Sequence, residues 1–245
     1  MIKNEEIIKE LEKNLIGFSQ NSKTKNVGYV EKNSDGVISA SGLSQAFIGE
    51  QVVFKNDTKG MILGLDEDTA SIILFDSGNS IVEGDKVETT GKILAITSSE
   101  ALIGRVVSPL GAPLDGKSPV KTGKNMLLER IAAGVIDREP VGTPLKTGIK
   151  LIDAIIPIGR GQRELIIGDR GLGKTAVAID TIINQKNKDK RYKPVICIYV
   201  AIGQKQSTVA QVIAKLKETG AMDYSIIVSA TSADPAALQY LAPYA

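Results

Sequence analysis

Gly168 and Gly173 bracket four residues and are followed at once by Lys174 and Thr175, so that residues 168–175 fit G-x-x-x-x-G-K-[ST] at every fixed position. A polyphosphate chain needs these residue types. Glycines at the two fixed places let the backbone wrap the phosphates with no Cβ in the way, and free N–H groups at a helix start point inward as donors. Lys174 supplies a point charge near the outer phosphates, and the Thr175 hydroxyl is placed to ligate Mg²⁺. The candidate binding set is Gly168, Asp169, Arg170, Gly171, Leu172, Gly173, Lys174, Thr175 and Ala176.

The flanking residues supply the elements that would hold such a loop. Leu165-Ile166-Ile167 ahead of it predicts a short buried strand, and Ala176, Val177, Ile179, Ile182 and Ile183 behind it recur at helical spacing. Alternation then continues: a strand over 195–200, a helix over 206–218, a strand over 225–230, and a helix opened by Ser232-Ala233-Asp234-Pro235. Such alternation builds a parallel sheet with crossover helices. Ahead of the loop, residues 147–153 predict a short helix, and the Pro- and Gly-rich stretch 104–116 predicts a turn-rich surface connection.

Between 27 and 96 the pattern changes to short runs rich in Val and Ile, at 27–30, 37–40, 51–54, 61–63, 71–74 and 92–96. Turn signals at Ser34-Asp35-Gly36, Asn56-Asp57, Asp66-Glu67-Asp68 and Glu83-Gly84-Asp85 separate them, which predicts a small β-barrel. Barrels of this size often bind single-stranded nucleic acid through aromatic platforms in a basic groove. Here Tyr29, Phe47, Phe54 and Phe75 are scattered among acidic turns, so a structural or oligomer-contact barrel is expected. At the N-terminus Ile7, Ile8, Leu11, Leu15 and Ile16 mark an amphipathic helix, tethered by the polar stretch 19–24. The domain reading is therefore 1–24 helix and tether, 25–96 barrel, and 97–245 nucleotide-binding domain.

Composition narrows the chemistry further. With 245 residues, 42% of them apolar, the chain is long enough to bury a core, and a net charge of +2 gives no reason to expect nucleic acid or an anionic membrane as partner. No apolar run approaches the roughly 18 residues that cross a bilayer, and the start Met1-Ile2-Lys3-Asn4-Glu5-Glu6 lacks the features of a secretion or transit signal. The single Cys197 excludes an internal disulfide and, in an apolar run, reads as inert core in a reducing compartment. The absence of His rules out imidazole catalysis and His-ligated metal, so any metal must arrive with a phosphate ligand.

A hydrolase of this class needs an acidic residue at the end of a second buried strand and a group that positions water. Here 195–200 leads into Ala201-Ile202-Gly203-Gln204-Lys205, and Val228 into Ser229-Ala230-Thr231, with no carboxylate at either end. A sheet stopping at Tyr244-Ala245 would leave an open edge, so the sequence is expected to be a fragment or a chain completed by a partner.

These residues carry a resemblance. Ser34-Asp35-Gly36-Val37, Gly104-Arg105-Val106-Val107, residues 111–116, the block 156–180, residues 199–205 and residues 237–245 together resemble the alpha subunits of rotary, proton-translocating (F-type) ATP synthases over the whole chain. The resemblance implies a six-stranded barrel followed by a RecA-like P-loop α/β domain that is incomplete here, with the helical C-terminal domain absent. It implies Mg-ATP (or ADP) held without turnover, in a hexameric head of alternating alpha and beta subunits around a gamma stalk. The chain would then be a non-catalytic subunit of an ATP synthase, with no nucleic-acid partner. Its N-terminal helix would meet the delta or peripheral stalk. The complex would sit peripherally on the cytoplasmic face of a bacterial plasma membrane, or on the matrix or stromal face of an organelle membrane. Gln204 stands where catalytic beta-type chains carry Glu, and a neutral amide is a far weaker base than a carboxylate. Gly171 and Leu172 depart from the Gln-Thr usual in alpha loops, which removes a polar contact to the phosphates. Competing readings are a catalytic P-loop ATPase, an RNA-dependent translocase of the termination-factor type, and an assembly module that has lost its nucleotide.

Overall fold

The computed structural model describes residues 26–76, 80–186 and 193–245; the amphipathic N-terminal helix and most of the basic stretch 187–193 lie outside the described residues. Strands β1 (Val27–Ser34), β2 (Val37–Ser41), β3 (Glu50–Phe54), β4 (Lys59–Leu65), β5 (Thr69–Leu74) and β6 (Lys86–Ile93) close into a barrel in the order β1-β2-β5-β4-β3-β6. Period-two alternation dictates which side chains go in. Ile38 and Ala40 of β2, Val52 and Phe54 of β3, and Ala70, Ile72 and Leu74 of β5 all point to one core, with Val30, Ile62 and Val87 from the remaining strands.

The first hairpin has a physical cause in two residues. Ser34 pairs with Val37, leaving Asp35 and Gly36 as the turn, and both have positive φ, 50° and 83°. That is the backbone a two-residue turn needs to match strand twist. Elsewhere the wall is drawn tight: a Cβ at Gly28 would collide with the Ser41 carbonyl, and one at Gly60 with that of Ile73. Register shifts at Val30/Lys32, Glu50/Val52 and Ile62/Gly64 bend the strands toward closure. Glu50, only 1% exposed, lies at one of these shifts, and its carboxylate accepts the N–H of Gly91 (2.6 Å) and of Phe47 (3.3 Å).

One barrel strand departs from the sequence expectation. The run expected at 92–96 is split: β6 spans Lys86–Ile93, and β7 (Ala95–Ser98) leaves to pair with β9 (Lys124–Leu127) in a separate two-stranded sheet. In Lys86-Val87-Glu88-Thr89-Thr90, Val87 is the sole apolar residue and faces inward, so the alternation is nearly silent. Leu94, between the two sheets, is buried in a cluster of Met61, Phe75, Leu128, Ala237 and Leu241 that joins barrel residues to the second unit.

The second unit contains a three-stranded sheet in the order β12 (Cys197–Gln204), β13 (Ser225–Thr231), β8 (Val106–Val107), with both pairings parallel. Two short strands, β10 (Pro144–Leu145) and β11 (Ile158–Gly159), pair separately. Helices are α1 (Lys150–Ile155), α2 (Lys174–Asn184), α3 (Gln206–Glu218) and α4 (Ala236–Leu241). Val209, Val212 and Leu216 of α3 recur at three- and four-residue steps and pack with Ile179 of α2, Ala201 of β12 and Ile227 of β13. Cys197 is buried at the start of β12, and desolvation pushes its thiol up to about 11, which fits inert core.

Three expectations are corrected here. Val106 and Val107, within the stretch expected as surface connection, form a buried strand, and the segment is closed by Arg105, whose guanidinium grips Asp115 with both Nε (2.5 Å) and Nη2 (3.0 Å). The strand expected to end at Val200 continues to Gln204. Leu165-Ile166-Ile167 forms no strand: among the described residues nothing pairs with it, and Leu165 and Ile167 are 82% and 84% exposed. A parallel strand takes its stability from neighbours on both sides, and a three-residue apolar run does not form one alone.

The Asp115 carboxyl is held well below the usual carboxylate range, first by the hydrogen bond from Arg105 and further by the N–H of Lys117. A depressed folded value stabilises above the unfolded pKa of about 3.9, and that stability is lost as pH falls through the folded value. Asp115→Asn is therefore expected to lower the thermal midpoint at pH 7 by about 3–8 °C. Calorimetric scans against pH check this: the gap between variant and parent closes as pH falls below about 4.

Candidate functional site

The loop from Gly168 to Gly173 runs over the surface into α2. Gly173, the residue before the helix, has φ +85°, a left-handed conformation that glycine adopts without the Cβ penalty. No side chain caps the helix there, and the first intrahelical bond runs from the Val177 N–H to the Gly173 carbonyl (3.1 Å). The N–H groups of Lys174, Thr175 and Ala176 are thereby left to a partner outside the helix, which with the macrodipole suits an anion.

Lys174 folds over the loop. Its ammonium donates to the Gly168 carbonyl and to the Asp169 carbonyl (2.7 Å), tying the two ends of the motif together. Asp169, Arg170, Gly171, Leu172, Thr175 and Ala176 are exposed around it. The candidate loop set is contiguous, and Thr175 presents its hydroxyl at the first turn, the place from which a magnesium held by phosphate oxygens is ligated in P-loop sites. The donor set fits a triphosphate with its cation: uncapped amides, one ammonium, one hydroxyl, and loop glycines that leave the approach free.

Gln204 lies at the carboxyl end of β12, and among the described residues its side chain hydrogen-bonds with Tyr199 and not with the loop. A register shift between Ile202 and Gln204, with Gly203 at φ +63°, turns the strand end. Gln204 then pairs with Thr231, its carbonyl accepts the Ser232 N–H (3.0 Å), and its side-chain amide donates to the Tyr199 hydroxyl (3.1 Å). Beside it Asp234 accepts from the N–H (2.6 Å) and hydroxyl (2.8 Å) of Thr231, which fixes the chain where it turns toward α4. In open α/β sheets ligands gather at this end of the strands. The residue that ends β12 there carries an amide, and the Asp234 carboxylate beside it is taken up by Thr231.

Sequence reasoning missed the partners that hold these residues. Tyr199 is legible in the sequence only as part of a strand, and its hydrogen bond with Gln204 accompanies the register shift at Gly203. Thr147, 1% exposed, lies ahead of α1 and not in the helix expected over 147–153, and it donates its N–H (2.9 Å) and hydroxyl (2.7 Å) to Asp153. The Asp153 carboxyl is lowered in pKa, first by the Thr147 hydroxyl. A Thr-Gly pair with an acid a few residues into the following helix is a signal that could have revealed this arrangement.

A glycine-bearing loop opening a helix, in a unit with a parallel sheet and preceded by a closed barrel, defines a nucleotide-binding α/β protein carrying a β-barrel domain. The family models agree on both parts: the ATP synthase alpha/beta family beta-barrel domain matches residues 23–91, and the nucleotide-binding domain of the same family matches residues 148–245. The chain belongs to the ATP synthase alpha/beta family. Similar relatives include ATP synthase subunit alpha of Clostridium acetobutylicum, 51% identical over 243 residues, which are 99% of this chain and 47% of the relative. ATP synthase subunit alpha of Clostridium botulinum is 53% identical, and that of Syntrophomonas wolfei 49% identical, each over 244 residues covering 100% of this chain and 47% and 48% of the relative. The chain thus spans about half the length of the curated relatives it matches. No helix among the described residues is long and apolar enough to cross a membrane.

The departure at Gly171 has a backbone reason. Its φ is +86°, and a Cβ there would meet nothing within 4 Å, so any other residue is disfavoured by conformation and not by collision. Gly171→Ala and Gly171→Gln are therefore expected to destabilise equally, each by about 1 kcal/mol, in urea unfolding. Leu172→Thr, at a side chain 70% exposed, changes stability by less than about 0.5 kcal/mol.

Proposed function

We propose that this chain holds a nucleotide without hydrolysing it, as the alpha-type subunit of a proton-translocating ATP synthase head. Gln204 carries the reading. It sits at the strand end where a hydrolase keeps a carboxylate, and its amide is engaged by Tyr199. An amide is too weak a base to draw a proton from water.

The residues divide the work of binding. The amides at the start of α2 receive phosphate oxygens, and Lys174 exchanges its two loop carbonyls for the outer phosphates. Thr175 would be the protein ligand to magnesium. Bound magnesium would supply charge neutralisation between the phosphates; the protein groups orient the chain of phosphates and exclude competing geometries. Such a site has no group to activate water, so the nucleotide serves the assembly as a fixed bridge.

The relatives' printed name, ATP synthase subunit alpha, supports a place among the subunits of an ATP synthase, and the particular partners are those that the resemblance implies. The chain would alternate with beta subunits around a gamma stalk, with the N-terminal segment toward the delta or peripheral stalk. The membrane would be met only through the complex, at the cytoplasmic face in a bacterium. Burial of Phe54 and Phe75 leaves two exposed aromatics, Tyr29 and Phe47, among the described barrel residues, fewer stacking platforms than an RNA translocase of the termination-factor type would use.

Titration calorimetry with Mg-ATP tests the reading. The protein is expected to bind ATP, Lys174→Ala to weaken binding at least about 100-fold, and ATP recovered after hours with the parent to be intact. Steady release of phosphate by the purified protein, or the absence of any binding heat, would refute it.

A further inference from the structure

The helix that begins at the loop is fastened at its other end. Asn184, the last residue of α2, donates from its side chain to the Thr147 carbonyl (2.8 Å), and Gln185 just after it donates to the Lys146 carbonyl (2.8 Å). The Thr147-Gly148 turn that receives Asn184 is itself rigid. Asp153 accepts from the Thr147 N–H, the Thr147 hydroxyl and the Gly148 N–H (2.9 Å), and the same hydroxyl accepts from the Ile149 N–H (3.1 Å). Gly148 has φ +76°, and a Cβ there would run into the Asn184 side chain, so the turn and the helix end are in direct contact. From the sheet side, the Tyr224 hydroxyl shares a hydrogen bond between the carbonyls of Ile182 (3.1 Å) and Ile183 (3.0 Å).

Among the described residues, the hydrogen bonds of Asp153, Thr147 and Asn184 stay within this turn and helix end and do not reach the loop. Their effect passes along α2, a helix of 11 residues and therefore about 16 Å long. A helix of that length is a stiff rod. With its first turn uncapped and only Ile179 fully buried along it, its direction is set largely where its carbonyl end is tied. We propose that Asp153 is a positioning residue for the phosphate loop: through Thr147 and Asn184 it fixes the far end of the helix whose first turn carries Lys174 and Thr175. The inference rests on the nucleotide reading of that loop. Three donors converge on one carboxylate, and a carboxylate is acceptor-only, so the side chain at 153 is specified by the geometry. In Asp153→Asn one carboxylate oxygen becomes an NH₂ facing an N–H donor, so at least one of the three bonds is lost while the shape is kept.

Two readouts test this: the Mg-ATP dissociation constant, and amide exchange at residues 177–180, the first hydrogen-bonded turns of α2. Asp153→Asn and Asn184→Ala are each expected to weaken ATP binding about tenfold and to speed exchange at 177–180. The double variant is expected to be no worse than the more affected single, because both break the same clamp. Ile72→Val, which loosens the barrel core outside the cluster that holds α2, serves as the control and leaves both readouts at parental values. Parental exchange and affinity in either single variant overturns the proposal. So does a double variant equal to the product of the singles, or an equal effect of the control, since either means general destabilisation. If Asp153→Asn fails to fold, Asn184→Ala and the control decide alone. Lys174→Ala separates the two claims: if it binds ATP as the parent does, the loop is not the nucleotide site, and exchange at 177–180 alone decides whether Asp153 positions the helix.

Discussion

A helix that offers its first turn to an anion gives up the means by which helices are usually fastened at that end. In α2 the residue before the helix is a left-handed glycine with no side chain to cap the amides, and the following residues are exposed. The local stability forgone there must come from elsewhere. The Thr147 turn, the Tyr224 hydroxyl and the packing of Ile179 against Val209 and Val212 are where it comes from. Much of the architecture between 144 and 227 reads as support for one unsatisfied helix start.

The two units solve the problem of sheet edges differently. The barrel closes on itself, so each strand has two neighbours and its inner face is filled by branched and small residues in alternation. The α/β unit stays open. β12 is the edge of its sheet, with Ile198 and Ile202 exposed on one face while Cys197 and Ala201 are buried on the other. An open sheet leaves strand ends accessible, and that is where the bulge at Gly203 sets Gln204.

What the sequence made legible was what alternation and fixed spacing record. β2, β3 and β5 announced themselves because each carries at least two inward apolar residues at period two, β1 and β4 because their runs are dense in apolar residues on both faces, and the Asp35-Gly36 hairpin because its turn needs those residue types. β6 was misplaced because one inward valine leaves no period to detect, and β8 because two residues are too few to have one. The loop motif was plain. Its surroundings were not, since hydrogen bonds such as Asn184 to Thr147 join residues 37 apart and no local pattern encodes them. Leu165-Ile166-Ile167 shows the converse: an apolar run states a propensity to be a strand, but a strand also needs neighbours to pair with.

That bare apolar triplet has a bearing on how the chain behaves in solution. It is flanked by Arg163 and Glu164 on one side and by Asp169 and Arg170 on the other, with Gly168 between, so a stretch with the makings of an adhesive cross-β seed is hemmed in by charge of both signs. Such gatekeepers hold back self-association while a hydrophobic segment waits for its place. Within ten residues, one short piece of chain thus sets charge of both signs directly beside an exposed apolar run.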